Sequence, residues 1–475
     1  MVNYGFVIDN RKCIGCHACT VACKSEHDVP VGVNRTHVKY IEKGEYPNST
    51  REFSVHRCNH CEDSPCTTIC PTTALFTRSD GIVDFDDERC IGCKSCMQAC
   101  PYDALYINPN SGTAAKCNYC AHRIENAYEP ACVIVCPVEA IVSGDLDDSS
   151  SNISTLLSEH EYKVRKPESG TVPNVFYLDT SDEMLNPLAT EKTAQGMWNE
   201  QAAGVGHYAK YAQERAGASD EHSMLVQLAL EMKAKEANPR DQAIIRDVAQ
   251  KLADTSPEAK RAYDAPSKGV LWGWEVSAYI WTKGIAAGTY MVAMMLWLAG
   301  LLEMTTELWL QITGIGLGFM AITGVLLIKD LDRPMRFLYV MLRPNWSSWL
   351  VKGAYILAAY GAVLSAVMAI VLLDEFTSLP VSMDWLTYLA WIGIPVAALT
   401  GVYTAWLLQQ AKARSWAQDR WLPAKFLLET AAIGGATLAI LVGGVLEIAI
   451  GVVALGLILV HGHHVIEKPQ LESLI

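Results

Sequence analysis

Sixteen cysteines, all between Cys13 and Cys136, constrain this 475-residue chain more than any other feature. They fall into four groups of four: Cys13, Cys16, Cys19 and Cys23; Cys58, Cys61, Cys66 and Cys70; Cys90, Cys93, Cys96 and Cys100; Cys117, Cys120, Cys132 and Cys136. The spacing C-x2-C-x2-C-x3-C lets one short loop wrap three corners of a [4Fe–4S] cube. The fourth cysteine of such a run reaches the neighbouring cluster when two clusters share a fold. The small residues Gly15 and Gly92 let backbone amides approach the sulfides. Four complete groups imply four [4Fe–4S] clusters. In a secreted chain so many cysteines would suggest disulfides. Residues 1–12 are too short and too polar for a secretory signal and hold no twin-arginine stretch, so metal ligation is the expectation.

An internal repeat supports it. The second, third and fourth groups end in Cys70-Pro71-Thr72-Thr73-Ala74-Leu75, Cys100-Pro101-Tyr102-Asp103-Ala104-Leu105 and Cys136-Pro137-Val138-Glu139-Ala140-Ile141, and groups one and three share a basic residue followed by Cys-Ile-Gly-Cys. Stacked modules produce such duplication. Zinc ribbons use separated C-x2-C pairs instead of tight runs of four. Cys13-Ile14-Gly15-Cys16-His17 also matches a c-type haem attachment pattern, but Cys19 and Cys23 complete a ferredoxin run through the same residues.

On these motifs the head resembles the four-cluster electron-transfer subunits of the molybdenum DMSO reductase and polysulfide reductase family, over roughly residues 4–180. The resemblance implies that group one pairs with group four, and group two with group three. One cluster would then take Cys13, Cys16, Cys19 and Cys136, and a second Cys117, Cys120, Cys132 and Cys23. The third would take Cys58, Cys61, Cys66 and Cys100, and the fourth Cys90, Cys93, Cys96 and Cys70. Some relatives lack one cysteine and carry a [3Fe–4S] cluster; here every position is filled.

Beyond residue 180 the chain changes character. Residues 181–267 are polar and alanine-rich, with apolar residues at helical spacing (Met224, Leu225, Leu228, Met232, then Ile244, Ile245, Val248, Leu252) and Asn238-Pro239 as a helix start. They read as a helical spacer. Residues 268–475 hold six apolar segments, near 276–302, 307–328, 350–373, 386–408, 424–442 and 446–466. Each is close to the ~20 residues needed to cross a bilayer. The last two would span about 65 Å as one helix, so Gly443-Gly444 is the expected turn. The fold class is thus an α+β, double-ferredoxin-like iron–sulfur head followed by an all-α polytopic transmembrane bundle of about six spans.

The 329–352 and 409–425 loops carry the Lys and Arg residues, whereas 303–306, 374–385 and 443–445 carry none. The positive-inside rule makes the basic loops cytoplasmic, and the start of the first span, hence the head, lies with them. The expected location is the inner membrane, multi-pass, with the head on the cytoplasmic side; a head exported with a partner is the alternative.

The anchor resembles the NrfD or polysulfide reductase membrane-subunit family through Trp272–Gly288, Asp330–Phe337 and Arg343–Trp349, although relatives commonly have eight or more spans. The resemblance implies a quinone, menaquinone or ubiquinone, and no haem. Histidines agree: of 12, only His461, His463 and His464 lie near membrane segments, all at one helix end. Ionisable residues inside spans are functional candidates, and a quinone needs polar partners and apolar walls. The candidate quinone residues are Trp274, Tyr279, Lys283, Asp330, Arg333, Trp349, Glu429 and His461. Tryptophans at a membrane boundary also serve as an interfacial belt.

The expected function is an electron-transfer and quinone-interacting subunit of a membrane oxidoreductase. No substrate site is legible in this chain, so a partner supplies one: by resemblance a molybdopterin subunit, with a [NiFe] hydrogenase second. The other class is a membrane tether for a ferredoxin relay. A net charge of −13 argues against nucleic acid.

Overall fold

The computed structural model describes residues 2–44, 50–192, 259–264, 271–377, 382 and 384–443. Strand β1 (Tyr4–Asp9) is a run of apolar residues buried on both faces, as suits a central strand. It pairs antiparallel with β8 (Ile141–Asp145) and parallel with β10 (Val175–Leu178), with β9 (Tyr162–Lys163) at the edge. The strand before cysteine group one thus lies beside the strand after group four. This pairing, and not sequence proximity, brings the two groups together.

A second sheet holds β2 (His37–Lys43) and β3 (Thr50–His56), joined by β11 (Glu191–Lys192) and β12 (Ala259–Tyr263). The described part of 181–267, the stretch expected as a spacer, thus contributes two strands to a sheet of the head. Strand β12 returns to pair along β2, which covers an edge that would otherwise template pairing with another chain. The two helical stretches expected at 224–252 lie outside the described residues.

Two hairpins, β4 (Leu75–Thr77) with β5 (Val83–Phe85) and β6 (Tyr106–Asn108) with β7 (Thr113–Ala115), follow groups two and three. Short helices run through the cysteine groups: α1 (Ala18–Glu26) holds Cys19 and Cys23, α2 (Pro65–Ile69) Cys66, α3 (Ser95–Ala99) Cys96 and α5 (Ala131–Ile134) Cys132, while α4 (Ala121–Ile124) starts directly after Cys120. The repeat is visible in the backbone. His17 and Lys94 occupy equivalent left-handed positions, and so do Thr73, Asp103 and Glu139 after the three Cys-Pro pairs. Helix α6 (Asn152–Glu159) is capped by Ser151, whose hydroxyl accepts from the Ser154 amide.

The anchor contains α7 (Trp274–Leu298), α8 (Thr306–Lys329), α9 (Trp349–Phe376), α10 (Asp384–Gln410) and α11 (Leu422–Val442). Four of them, α8 to α11, are long and apolar enough to cross a membrane. The 25-residue α7 corresponds to the first expected segment and packs against α8, α10 and α11. Helix α11 ends at Gly443, where the turn was expected. The sixth expected segment lies outside the described residues.

In hydrocarbon every polar group must find a partner within the protein. Threonines 289, 313, 323, 400 and 430 donate to the carbonyl four residues back. Tyr360 donates to the Ala286 carbonyl at 2.7 Å, and Tyr290 to that of Leu389 at 3.1 Å. Gly288 and Gly434 let α7 and α11 touch backbone to backbone; a Cβ at Gly288 would collide with the Thr430 carbonyl oxygen.

Candidate functional site

The sixteen thiols are all free of disulfides and assemble into four sets that cross the sequence groups. One hollow is lined by Cys13, Cys16, Cys19 and Cys136; another by Cys70, Cys90, Cys93 and Cys96, with Pro71 and Ala74. Cys23 is electrostatically coupled to Cys117, Cys132 and Cys120, and Cys66 to Cys100, Cys58 and Cys61. The fourth thiol of each set therefore comes from the partner group.

These sets suit a cube. Among the described residues no three His, Cys, Asp or Glu side chains converge tightly enough to clasp a single ion. Backbone amides point at the sulfurs, Ala140 to Cys136 at 3.2 Å and Ala114 to Cys90 at 3.4 Å. The imidazole of His27 stands 3.2 Å from Cys120 Sγ. Burial pushes the Cys19 thiol up to about 11, and those of Cys61, Cys93 and Cys120 to about 12. Metal ligation overrides that penalty by deprotonating the thiol outright.

The sets form a line. Cys19 of the first is coupled to Cys132 of the second, Cys58 of the third to Cys117 of the second, and Cys96 of the fourth to Cys66 of the third. One end reaches the surface at Cys16, which is exposed beside the exposed Ile14.

The other end meets the anchor. Trp272 Nε1 donates to the Cys93 carbonyl at 3.2 Å, Asn345 Nδ2 to that of Cys70 at 2.7 Å, and Arg336 to that of Cys90 at 3.0 Å. Ser348 adds a bond to the Ile69 carbonyl at 2.7 Å, and Lys94 pairs with Asp332 at 3.2 Å. Gly92, at φ +71°, fits closely here: a Cβ would stand 2.7 Å from that of Asp332. The head thus docks on the end of the bundle that carries the basic loops, and Lys412 and Arg414 join through Asp63 and Gln98.

Within the apolar bundle lies a buried polar cluster. Lys283, fully buried on α7, donates to the Gly401 carbonyl at 3.1 Å and to Thr404 Oγ1 at 2.5 Å. Its ammonium stands 4.3 Å from the Tyr403 ring centre and 5.9 Å from that of Phe426, with Glu429 nearby. Buried Tyr279 sits beside Thr404 and Tyr403. Asp330, at the end of α8, has its carboxyl raised to about 7: burial and the neighbouring Glu275 and Asp332 outweigh Lys94.

Of the expected quinone residues, Tyr279, Lys283 and Glu429 come together. Trp349 stacks on Trp406 at 4.5 Å and packs against the cluster that holds Cys70. Two others stand apart from the Lys283 cluster. Arg333 donates to the Ser111 carbonyl at 2.5 Å and so fastens the head. Trp274 is exposed with Lys329 over its ring, at the bundle edge, as a boundary tryptophan would be. His461 lies outside the described residues. Thr404 and Tyr403 were not foreseen, because nothing in their local sequence sets them apart from ordinary helix residues; Trp272 and Asn345 lie in stretches that carry the resemblance but were given no role.

Comparison with known proteins agrees with this division. A family model described as 4Fe-4S binding domain matches residues 11–31, one described as 4Fe-4S dicluster domain matches 50–146, and one described as polysulphide reductase, NrfD, matches 264–449. A tetrathionate reductase subunit of Salmonella typhimurium is 44% identical over 201 residues, covering 42% of this chain and 80% of that protein. A polysulfide reductase polypeptide of Wolinella succinogenes is 40% identical over 178 residues, covering 37% and 93%. The thiosulfate reductase electron transfer subunit of Salmonella typhi is 43% identical over 173 residues, covering 36% and 89%.

Proposed function

The chain belongs to the iron–sulfur subunit family of the tetrathionate and polysulfide reductases, fused to an NrfD membrane domain, and on that premise we propose that it carries electrons between a separate catalytic subunit and a quinone bound at the head end of its bundle. The observation that carries this reading is the unbroken line of thiol sets from the exposed Cys16 to the Cys70 set, on which the anchor's side chains converge. Four [4Fe–4S] clusters, when bound, supply one-electron carriage along that line. Their ligands are Cys13, Cys16, Cys19 and Cys136; Cys23, Cys117, Cys120 and Cys132; Cys58, Cys61, Cys66 and Cys100; Cys70, Cys90, Cys93 and Cys96.

The anchor's residues handle the other half of the chemistry. A quinone, menaquinone or ubiquinone, takes two electrons and two protons to become a quinol. Lys283 spends two of its three N–H donors on Gly401 and Thr404, leaving the third for a quinone carbonyl. Tyr279 and Tyr403 supply aromatic walls and hydroxyls. Asp330, with a carboxyl that titrates near neutrality, exchanges protons with the aqueous side. The catalytic partner is of the molybdopterin class, by its relatives' membership in reductase complexes. The basic loops at the docked end support a cytoplasmic head on the inner membrane.

The test uses the complex purified from native membranes through this chain. Molybdenum or tungsten with about 16 iron per chain (four cubanes) supports the reading, and nickel moves the partner to a hydrogenase. Lys283→Met should abolish quinone-linked turnover while reduction of a soluble dye persists. Unaltered quinone turnover would make the bundle a tether.

A further inference from the structure

A basic residue precedes the first cysteine of every group: Lys12, Arg57, Arg89 and Lys116. The four equivalent positions have two different fates. Lys12 and Arg89 are exposed and face carboxylates, Asp9 at 3.9 Å and Asp86 at 2.9 Å. Arg57 and Lys116 are 2% and 0% exposed, and among the described residues neither has a carboxylate partner.

Arg57 donates from Nη1 to Cys132 Sγ at 3.2 Å and lies 4.6 Å from the Phe6 ring centre. Its Nε and Nη2 have no hydrogen-bond partner among the described residues. Its charge acts on Cys132 and Cys117 of the second thiol set and on Cys19 of the first. Lys116 Nζ donates to the carbonyls of Val83 and Cys117, the latter at 2.9 Å. Its charge acts on Cys58 and Cys66 of the third set. One buried cation therefore stands between sets one and two, and another between sets two and three.

An isolated buried cation is strongly disfavoured unless an anion answers it. A cube with four thiolate ligands is such an anion, and it gains a further negative charge on reduction. We propose that Arg57 and Lys116 are the fixed counter-charges of the relay, each stabilising the reduced form of the two clusters it separates. This rests on the four-cluster reading above. Both are positioning residues: they act on the potential of the clusters and touch no substrate.

Redox titration of the purified complex, followed by electron paramagnetic resonance, tests this. Arg57→Gln should lower the midpoint potentials of two clusters. Lys116→Gln should also lower two, with one cluster common to both variants. Lys12→Gln and Arg89→Gln, at the exposed equivalents, should shift none, and Arg57→Lys and Lys116→Arg should keep the native potentials. Shifts in the buried-site variants no larger than in the exposed-site variants would overturn the proposal. If a glutamine variant fails to assemble its iron, the charge-preserving variant decides: full iron with native potentials upholds the counter-charge, and iron loss there assigns the position to packing and overturns it. Absence of [4Fe–4S] signals from the unsubstituted complex would instead sink the four-cluster reading itself.

Discussion

Single residues in this protein do different jobs at equivalent sequence positions. Gly15 and Gly92 are both left-handed turn residues of the Cys-Ile-Gly-Cys repeat, yet the side chain excluded at Gly15 is Phe53 and that at Gly92 is Asp332 of the anchor. The repeat builds the turn, and its surroundings decide what the missing Cβ makes room for. Asp330 shows the same dependence on context. Its carboxyl is half-protonated near pH 7 because burial and two neighbouring carboxylates oppose ionisation. The sign of the pH effect follows: below about 7 the group holds a proton to give, and above it the donor form is lost. Quinone reduction limited by this donor should fall about tenfold per pH unit above ~7, and Asp330→Asn should be slower and flat across that range. Stopped-flow quinone reduction between pH 5.5 and 8.5 measures both; an unchanged profile in the variant would remove Asp330 from proton delivery.

Elements are held by a mixture of local rules and exact fit. Helix α6 is capped at its start by Ser151, a cap worth about 1 kcal/mol. Helix pairs in the bundle depend instead on small residues, because lipid tails are as apolar as leucine and drive no association. Gly288 against Gly434 is the closest such contact. Gly288→Val should force α7 from α11 at a cost of roughly 1–3 kcal/mol, seen as a lower unfolding temperature in detergent. Gly361→Ala, on α9 with nothing within 4 Å of its would-be Cβ, should leave that temperature unchanged. Equal effects of the two substitutions would show that the contact contributes nothing.

At the scale of the whole molecule, function depends on a junction made largely of side chains reaching backbone carbonyls beside Cys70, Cys90 and Cys93. Each such bond contributes about 1 kcal/mol. The combined variant Arg336→Ala, Asn345→Ala should keep its iron and its reaction with soluble dyes. Its transfer to quinone should slow several-fold as the head loosens, and equal quinone and dye rates relative to the native complex would refute a coupling role for the junction. The basic residues of these loops have a second role. Arg333, Arg336, Lys412 and Arg414 bond the head, so docking gives them a purpose beyond marking the side of the membrane.

The four cysteine groups, the head-then-anchor order and the apolar helices were legible in the chain because each rests on local spacing: four tight cysteine runs, one repeat, and segments of membrane-crossing length. The buried Lys283 was visible too, since a cation in an apolar run stands out wherever it lies. What local spacing does not contain is partnership. Strand β12 returning to the head, Arg333 fastening Ser111, and Thr404 meeting Lys283 join residues 121 or more apart, through contacts that no single stretch announces. Arg57 and Lys116 look like Lys12 and Arg89 in the sequence. Only the packing of the thiol sets around the first two buries them with no carboxylate partner among the described residues, a difference in surroundings absent from any one stretch of chain.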